Sequence, residues 1–305
     1  MTVKQLSKSN AHRNKGCPAL PSRLANLLGW LAAKPFLSGQ QLAAAWRYTS
    51  ISTPLEALAS LQKQGLVSFV LDPGGLDTSL RRYYQITRRG INALARRQEC
   101  SAKDVAKKYW LSPRRLALLV RALGHTEACH QFFVDMIVRT ENVEGLVAGQ
   151  GLILWHGEAE AYRRYRLDGQ DRALRPDAFG AYRAGSQDVF FFLEWDSGNM
   201  AAARHRRKLL AYHDYRVWWD EHQEKAFPAV LMVAPSQSQA VAMNHLVLEL
   251  AAAARTPPLP VFLTTHGALK AIGPLRARWW DTARQELAGP FDLNPKPTKG
   301  VSAWK

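Results

Sequence analysis

The sequence predicts an α/β protein (α+β overall), in which a small helical segment with a β-hairpin precedes a mixed sheet flanked by helices. Two observations predict this. Leucines recur at spacings of three and four residues near the start, whereas short apolar runs alternate with helical segments after residue 150. The charge divides the chain similarly, since residues 1–124 carry a net +15 and residues 125–305 a net +1. A chain of 305 residues also favours two domains.

Three helices are predicted in the first part of the chain. The first starts at Pro21, the second is short and capped by Ser38, and the third has Ser52 as its cap and Pro54 in its first turn. Gly65 ends the third helix in the left-handed conformation. The predicted inward faces are Leu24, Leu27, Leu28 and Leu31 in the first helix and Leu55, Leu58 and Leu61 in the third.

A β-hairpin and a further helix are predicted next. The strand-like runs 66–71 (LVSFVL) and 81–86 (RRYYQI) flank a Pro-Gly-Gly turn, and a helix starts near Thr87. Three helices, a hairpin and a helix are the order of a winged helix-turn-helix, in which the third helix enters the major groove and the wing reaches phosphates. The alternative is a helical interaction domain with a solvated basic face. The candidate DNA-contacting residues are Arg47, Lys63, Arg81, Arg82, Arg88 and Arg89.

The rest of the chain predicts a mixed sheet. Its elements are helix 125–140, strands 151–155, 172–183 and 188–196, helix 201–221, strand 229–234, helix 237–255 and strand 261–264. The resulting division is a flexible basic arm at 1–18, the winged helix at 19–97, a helical connector at 98–124, the mixed-sheet domain at 125–290 and a flexible tail at 291–305.

Three carboxylates are expected to meet at one end of this sheet. Strand alternation puts Glu194 and Asp196 on one face, and Asp177 ends the neighbouring strand. Buried acids are costly unless they are paired or hold a metal, and three carboxylates suit Mg²⁺ or Mn²⁺. Lys208 and Tyr212 lie four apart on the next helix, so both can face the same cleft. The pattern predicts metal-assisted phosphodiester cleavage, with Lys208 stabilising the developing charge. Each acid alone could equally be a turn or strand-end residue.

These short motifs resemble a known nuclease core. Pro176-Asp177, the run 191–198 (FFLEWDSG) and the run 208–212 (KLLAY) are similar to the PD-(D/E)XK pattern of restriction-endonuclease-like folds. Together with the winged helix, the chain resembles the replication-relaxation family, which includes MobC-type relaxases of mobilisable plasmids. The resemblance implies that Asp177, Glu194 and Asp196 hold the metal and act in catalysis with Lys208.

One departure from the nuclease pattern leaves two alternatives open. Asp196 stands where the standard motif has lysine, so either Lys208 supplies the amine from the helix or the site is degenerate. The resemblance also implies a further acid on the first helix of the nuclease domain, which is either Glu127 or Glu141.

Composition and missing motifs exclude other classes. Three scattered cysteines support neither a disulfide framework nor a zinc knuckle, and no apolar run reaches the ~20 residues that span a bilayer. The start lacks the apolar stretch of a secretory signal, so a cytoplasmic protein is expected. Metalloprotease, phosphate-binding-loop and serine-hydrolase motifs are lacking, and no small-molecule cofactor is expected.

The expected function is recognition of duplex DNA and its nicking or relaxation in plasmid or mobile-element mobilisation or replication. Its expected partners are double-stranded DNA and other mobilisation or replication proteins. The alternative is a catalytically inactive accessory factor or transcriptional regulator that keeps a nuclease-like scaffold.

Overall fold

The computed structural model describes residues 20–46, 52–72, 81–141 and 150–291, without the side chains of 139–141. Arg47, the hairpin turn at 73–75 and nearly all of the predicted arm and tail lie outside these residues. No helix in the described ranges is long and apolar enough to cross a membrane.

The first helices follow the predicted local signals. Ser38 accepts a hydrogen bond from the amide of Gln41, whose side chain returns one to the Ser38 amide, so the second helix begins with a capping box. The third helix begins at Ser52 itself, one residue earlier than its predicted cap allows. Leu55 on its predicted inward face is exposed, and Gly65 has the expected positive φ of 68°. The helices are α1 Ser22–Ala33, α2 Gly39–Ala45, α3 Ser52–Lys63 and α4 Arg88–Arg97.

A three-stranded sheet accompanies these helices. The predicted hairpin is present as β2 (Val67–Leu71) and β3 (Arg82–Ile86), and the short strand β1 (Leu37–Ser38) pairs antiparallel with the other side of β3. Thr87 caps α4 by accepting from the amide of Gly90. Helices and strands thus follow the order predicted for a winged helix-turn-helix.

The connector is helical, as its Ser-Pro signal predicts. Ser112 caps its second helix, with Pro113 at the first position. The helix that follows begins at Leu123 and presents Phe132, Phe133 and Met136 to the core. The three helices are α5 Ala102–Lys108, α6 Pro113–Arg121 and α7 Leu123–Glu141.

The C-terminal part is built on a seven-stranded mixed sheet of order β12-β11-β10-β9-β8-β7-β4. Two parallel pairs at its centre, β8 with β9 and β9 with β10, are flanked by antiparallel neighbours. The strands are β4 Gly151–Gly157, β7 Ala178–Ala184, β8 Gln187–Trp195, β9 Ala229–Ala234, β10 Val261–Thr265, β11 Trp279–Asp281 and β12 Glu286–Ala288.

The predicted strand 172–183 is wrong. The chain instead forms a separate two-stranded hairpin, β5 Arg163–Leu167 with β6 Gln170–Leu174, and then enters the large sheet as β7. Pro176 explains the break because proline lacks the amide that a central strand must donate. The break is what brings Asp177 to the start of β7.

Helices cover the sheet on both faces, and alternation along β8 serves both cores. Phe191 and Leu193 pack with α7 and the N-terminal helices, whereas Phe192 packs with helices from the other face. Trp279 and Trp280 in β11 are buried in these two cores. The remaining helices are α8 Glu158–Ala161, α9 Ala202–His222, α10 Gln237–Ala254 and α11 His266–Ile272.

Candidate active site

Two of the predicted acids face each other across neighbouring strands. The β7–β8 register pairs Ala178 with Leu193, so the next position sets Asp177 opposite Glu194. Side chains of directly opposed residues project from the same face of a sheet. Asp177 is fixed in place because its Oδ2 accepts a 2.8 Å hydrogen bond from the amide of Trp195.

Lys208 from α9 joins these two acids. Its Nζ lies 3.6 Å from Asp177 Oδ2 and is in direct contact with Glu194 Oε2. One turn further along α9, the hydroxyl of Tyr212 donates to Glu194 Oε1 at 2.5 Å. Arg204, one turn before Lys208, is exposed. The structure therefore brings together Asp177, Glu194 and Lys208, as the alternative with a lysine supplied by the helix requires.

Burial and mutual charge set the ionisation of this cluster. Burial raises the pKa of Glu194 to about 8, against the opposing pull of Lys208, and the nearby Asp177 charge adds to the rise. Burial also opposes ionisation of Asp177, but Lys208, His125 and the Trp195 amide outweigh it and hold its pKa well below the usual range. Burial alone would lower the pKa of Lys208, yet the two carboxylates raise it above its ordinary value.

The third predicted acid, Asp196, is bound differently. It follows the last residue of β8, its Oδ1 accepts from the amide of Gly198 at 2.8 Å, and its Oδ2 lies 3.0 Å from Nε2 of His205 on α9. Asp196 is buried and borders the same small cavity as Glu194 and Lys208. Its two carboxylate oxygens are thus taken up by the strand end and by His205.

Two residues of α7 lie beside Asp177 and were missed by the sequence analysis. His125 Nε2 is 3.5 Å from Asp177 Oδ1 and 3.7 Å from Sγ of the buried Cys129. Burial, with the Asp177 charge, raises the pKa of that thiol. The signal for them is their spacing of four residues on one helix, which places both side chains on one face.

Of the two candidates for a further acid on the first helix of the C-terminal domain, the structure describes the side chain of Glu127 only. Glu127 Oε1 lies 3.2 Å from Arg81 Nη1 of the N-terminal region, and the Glu127 carbonyl accepts from Gln41. Glu141 is among the residues whose side chains are outside the described set.

An aromatic and basic cleft opens onto Asp177. Trp110 of the connector packs edge-on against Tyr162 at 5.0 Å between ring centroids, and the guanidinium groups of Arg164 and Arg175 lie over the same tyrosine ring. The cleft is lined by Trp110 and Arg115 of the connector, by Glu158, which forms an ion pair with Arg115, and by His125, Cys129 and Asp177.

The predicted DNA-contacting residues that the structure describes are all exposed. Arg88 and Arg89 occupy the first turn of α4, where the helix dipole disfavours positive charge. Arg82 lies over the ring of Phe69, with 4.8 Å from its guanidinium carbon to the ring centroid. The exposed set is Lys63, Arg81, Arg82, Arg88 and Arg89.

The fold and this cluster define a mixed α/β protein with a buried carboxylate–lysine site and a basic helical N-terminal region. The chain belongs to the replication-relaxation family, whose sequence profile matches residues 28–230. Among solved structures, restriction endonuclease FokI bound to DNA matches 81% of this chain and 43% of its own, at 15% identity and a TM-score of 0.23. This chain thus spans less than half of FokI, and such a TM-score does not establish a shared fold. No curated protein matches the chain.

Proposed function

We propose that the chain binds duplex DNA through its N-terminal region and nicks or relaxes it by metal-dependent phosphodiester cleavage at Asp177, Glu194 and Lys208. The observation that carries the proposal is the buried contact of Lys208 with both carboxylates, because two acids and one amine are what a nuclease of this type requires. Membership of the replication-relaxation family supports a role in mobilisation or replication of plasmids or related elements.

The donor set fits a hard divalent cation. One carboxylate oxygen of Asp177 and one of Glu194 lie near the same positive charge, the Lys208 ammonium. The two oxygens are therefore close enough together to bind one metal cation. Mg²⁺ or Mn²⁺ bound there would polarise the scissile phosphate and activate a water molecule. Asp177 and Glu194 would hold it, and Lys208 would stabilise charge on the phosphate oxygens. We assign Asp196 a supporting role, because both of its oxygens already bind Gly198 and His205.

DNA recognition is assigned to the exposed basic residues of the N-terminal region. Two arginines lie in the first turn of α4, where positive charge destabilises a helix. Their position is explained if phosphates of a bound DNA duplex neutralise them. If α3 acts as the recognition helix of a winged helix-turn-helix, it would lie in the major groove and bring Lys63 near the same duplex. Partners other than DNA are proposed from the family alone.

The aromatic and basic cleft is proposed as the path of the strand to be cut. Trp110 lines the cleft, and Tyr162, which packs against Trp110, offers a second aromatic surface beside it for base stacking. Arg164 and Arg175 lie over the Tyr162 ring and would neutralise the backbone, whereas Arg115 already pairs with Glu158. Because Asp177 lines the cleft, a strand lying in it would reach that carboxylate.

Supercoiled plasmid carrying a cognate transfer origin, incubated with Mg²⁺ or Mn²⁺, tests this function. Wild type is expected to convert it to open circles, and Glu194→Gln is expected to abolish conversion while duplex binding in a gel-shift assay is retained. Glu224→Gln changes an exposed acid of the same domain and should behave as wild type. Equal cleavage by Glu194→Gln would show that the site is misassigned.

A second candidate is an inactive DNA-binding accessory factor or regulator. It is favoured by Asp196, which replaces the usual lysine and is bound by His205. Specific binding to the origin without conversion in either metal would select this alternative.

A further inference from the structure

We infer that His125, Cys129 and Asp177 form a binding site for one thiophilic divalent ion of the zinc and cobalt class. The three residues offer a nitrogen, a sulfur and an oxygen, each within 4.8 Å of the others. A thiolate and an imidazole favour such ions over Mg²⁺, which prefers oxygen ligands. This site therefore differs in chemistry from the carboxylate pair, although Asp177 borders both.

The distances match tetrahedral coordination. With Zn–N near 2.05 Å, Zn–S near 2.3 Å and Zn–O near 2.1 Å, neighbouring ligand atoms in a tetrahedron are about 3.4 to 3.6 Å apart. The observed separations are 3.7 Å between His125 Nε2 and Cys129 Sγ, and 3.5 Å between His125 Nε2 and Asp177 Oδ1. Two edges of the coordination polyhedron are thus already formed, and small side-chain movements would complete it.

The orientation of His125 is also that of a metal ligand. Its Nδ1 lies 3.3 Å from the hydroxyl of Ser197, whereas Nε2 is the atom directed at Cys129 and Asp177. Histidines that bind metals characteristically hydrogen-bond through the other ring nitrogen, which fixes the ring and the tautomer. With the proton on Nδ1 donated to Ser197, Nε2 presents its lone pair to the ion.

The site can be reached and is open on one side. The His125 side chain is 30% exposed, and all three ligands line the aromatic and basic cleft. Three protein ligands with the fourth position facing a cleft are typical of reactive zinc sites rather than structural ones. Binding would transfer the thiol proton of Cys129 to the buffer as the sulfur–metal bond forms.

Titration of the chelator-treated full chain with Co²⁺ tests the inference. One Co²⁺ per chain is expected, with a thiolate-to-cobalt charge-transfer absorption that Zn²⁺ abolishes. Cys129→Ser should remove this absorption, and Cys100→Ser, which changes an exposed cysteine, should keep it. A wild-type chain without the absorption, or a Cys129→Ser variant that retains it, would overturn the inference.

Ser197→Ala provides a test that does not disturb the core, because Ser197 is exposed. The absorption should persist while affinity for Zn²⁺ falls about 10- to 100-fold, as for other outer hydrogen-bond partners of metal ligands. Unchanged affinity would contradict the role given to the His125 orientation. Plasmid conversion in Mg²⁺ is measured separately. The charge-transfer absorption without plasmid conversion would refute only the proposed nuclease function, and conversion without the absorption would refute only the inferred zinc-class site.

Discussion

Replacing Lys208 by methionine tests the electrostatics of the cluster most directly. Methionine keeps the length and apolar stem of the side chain but removes the ammonium that contacts Glu194 and lies 3.6 Å from Asp177. The variant would leave two buried carboxylates facing each other without a positive partner. Removing one partner of a buried pair costs about 3–5 kcal/mol, so a loss of this size in the free energy of unfolding is expected near pH 8.5.

The loss should depend on pH. The folded-state pKa of Glu194 is raised by burial to about 8, so its contribution to stability is complete at low pH and is lost as pH rises through that value. Without Lys208 the pKa rises further, and the loss at high pH grows. In wild type the pKa of Asp177 is lowered, and its contribution to stability is lost only as pH falls below about 4. In the variant the lowering by Lys208 is absent, and His125 and the Trp195 amide alone oppose the effect of burial.

Urea unfolding of wild type and variant at about pH 5.5 and about pH 8.5 measures the effect. Through Glu194 the difference between the two proteins should shrink by up to about 0.8 kcal/mol at the lower pH, because this carboxyl is then protonated in both proteins, whereas at about pH 8.5 it is ionised mainly in wild type. Lys270→Met, which changes an exposed lysine on α11, should stay within about 0.5 kcal/mol at both values. A Lys208→Met variant as stable as this control, or equally destabilised at both pH values, would refute the reasoning.

Three further predictions concern packing and DNA affinity. Gly180→Ala should lower the free energy of unfolding in urea by about 1–3 kcal/mol, because the added Cβ would come within 2.4 Å of a phenylalanine ring. Gly29→Ala, which has open space in α1, should raise that free energy by up to about 1 kcal/mol. Equal effects of the two substitutions would contradict the packing described. Trp279→Ala should lose about 3–5 kcal/mol, since the ring is fully buried, and a loss below 1 kcal/mol would contradict that burial. Duplex affinity should fall steeply with salt, and joint replacement of Arg88 and Arg89 by alanine should lower the log–log slope by about 2, whereas an unchanged slope would place the duplex elsewhere.

Local signals predicted the helices well because they act over a few residues. Ser38, Thr87 and Ser112 each accept the hydrogen bond expected of a cap, and strand 229–234 has the predicted bounds. The strand 172–183 failed because apolar alternation does not report where a strand leaves one sheet for another. Pro176 was the available signal for that break.

The proximity of the two carboxylates and the lysine could be predicted because it depends on neighbouring strands and on spacing along one helix. Asp177 and Glu194 follow from the two strand ends, and Lys208 from helical spacing. His125 and Cys129 were missed because their helix reaches the cluster only through packing of α7 on the sheet, a contact between distant segments. The partner of Asp196, His205, likewise depends on where α9 begins rather than on any motif.

The first hydrophobic cluster runs without interruption from Leu28 in α1 through Phe133 in α7 to Trp279 in the sheet. Helices that share such a core do not move as independent domains. The distance between the N-terminal region and the carboxylate site is therefore fixed. If the N-terminal half grips a particular sequence, the phosphodiester that reaches Glu194 lies a constant number of base pairs away. Inserting base pairs between the recognised sequence and the original cleavage position would therefore not move the cut with the original position. The cut would stay at the same distance from the recognised sequence and would fall on a different phosphodiester bond.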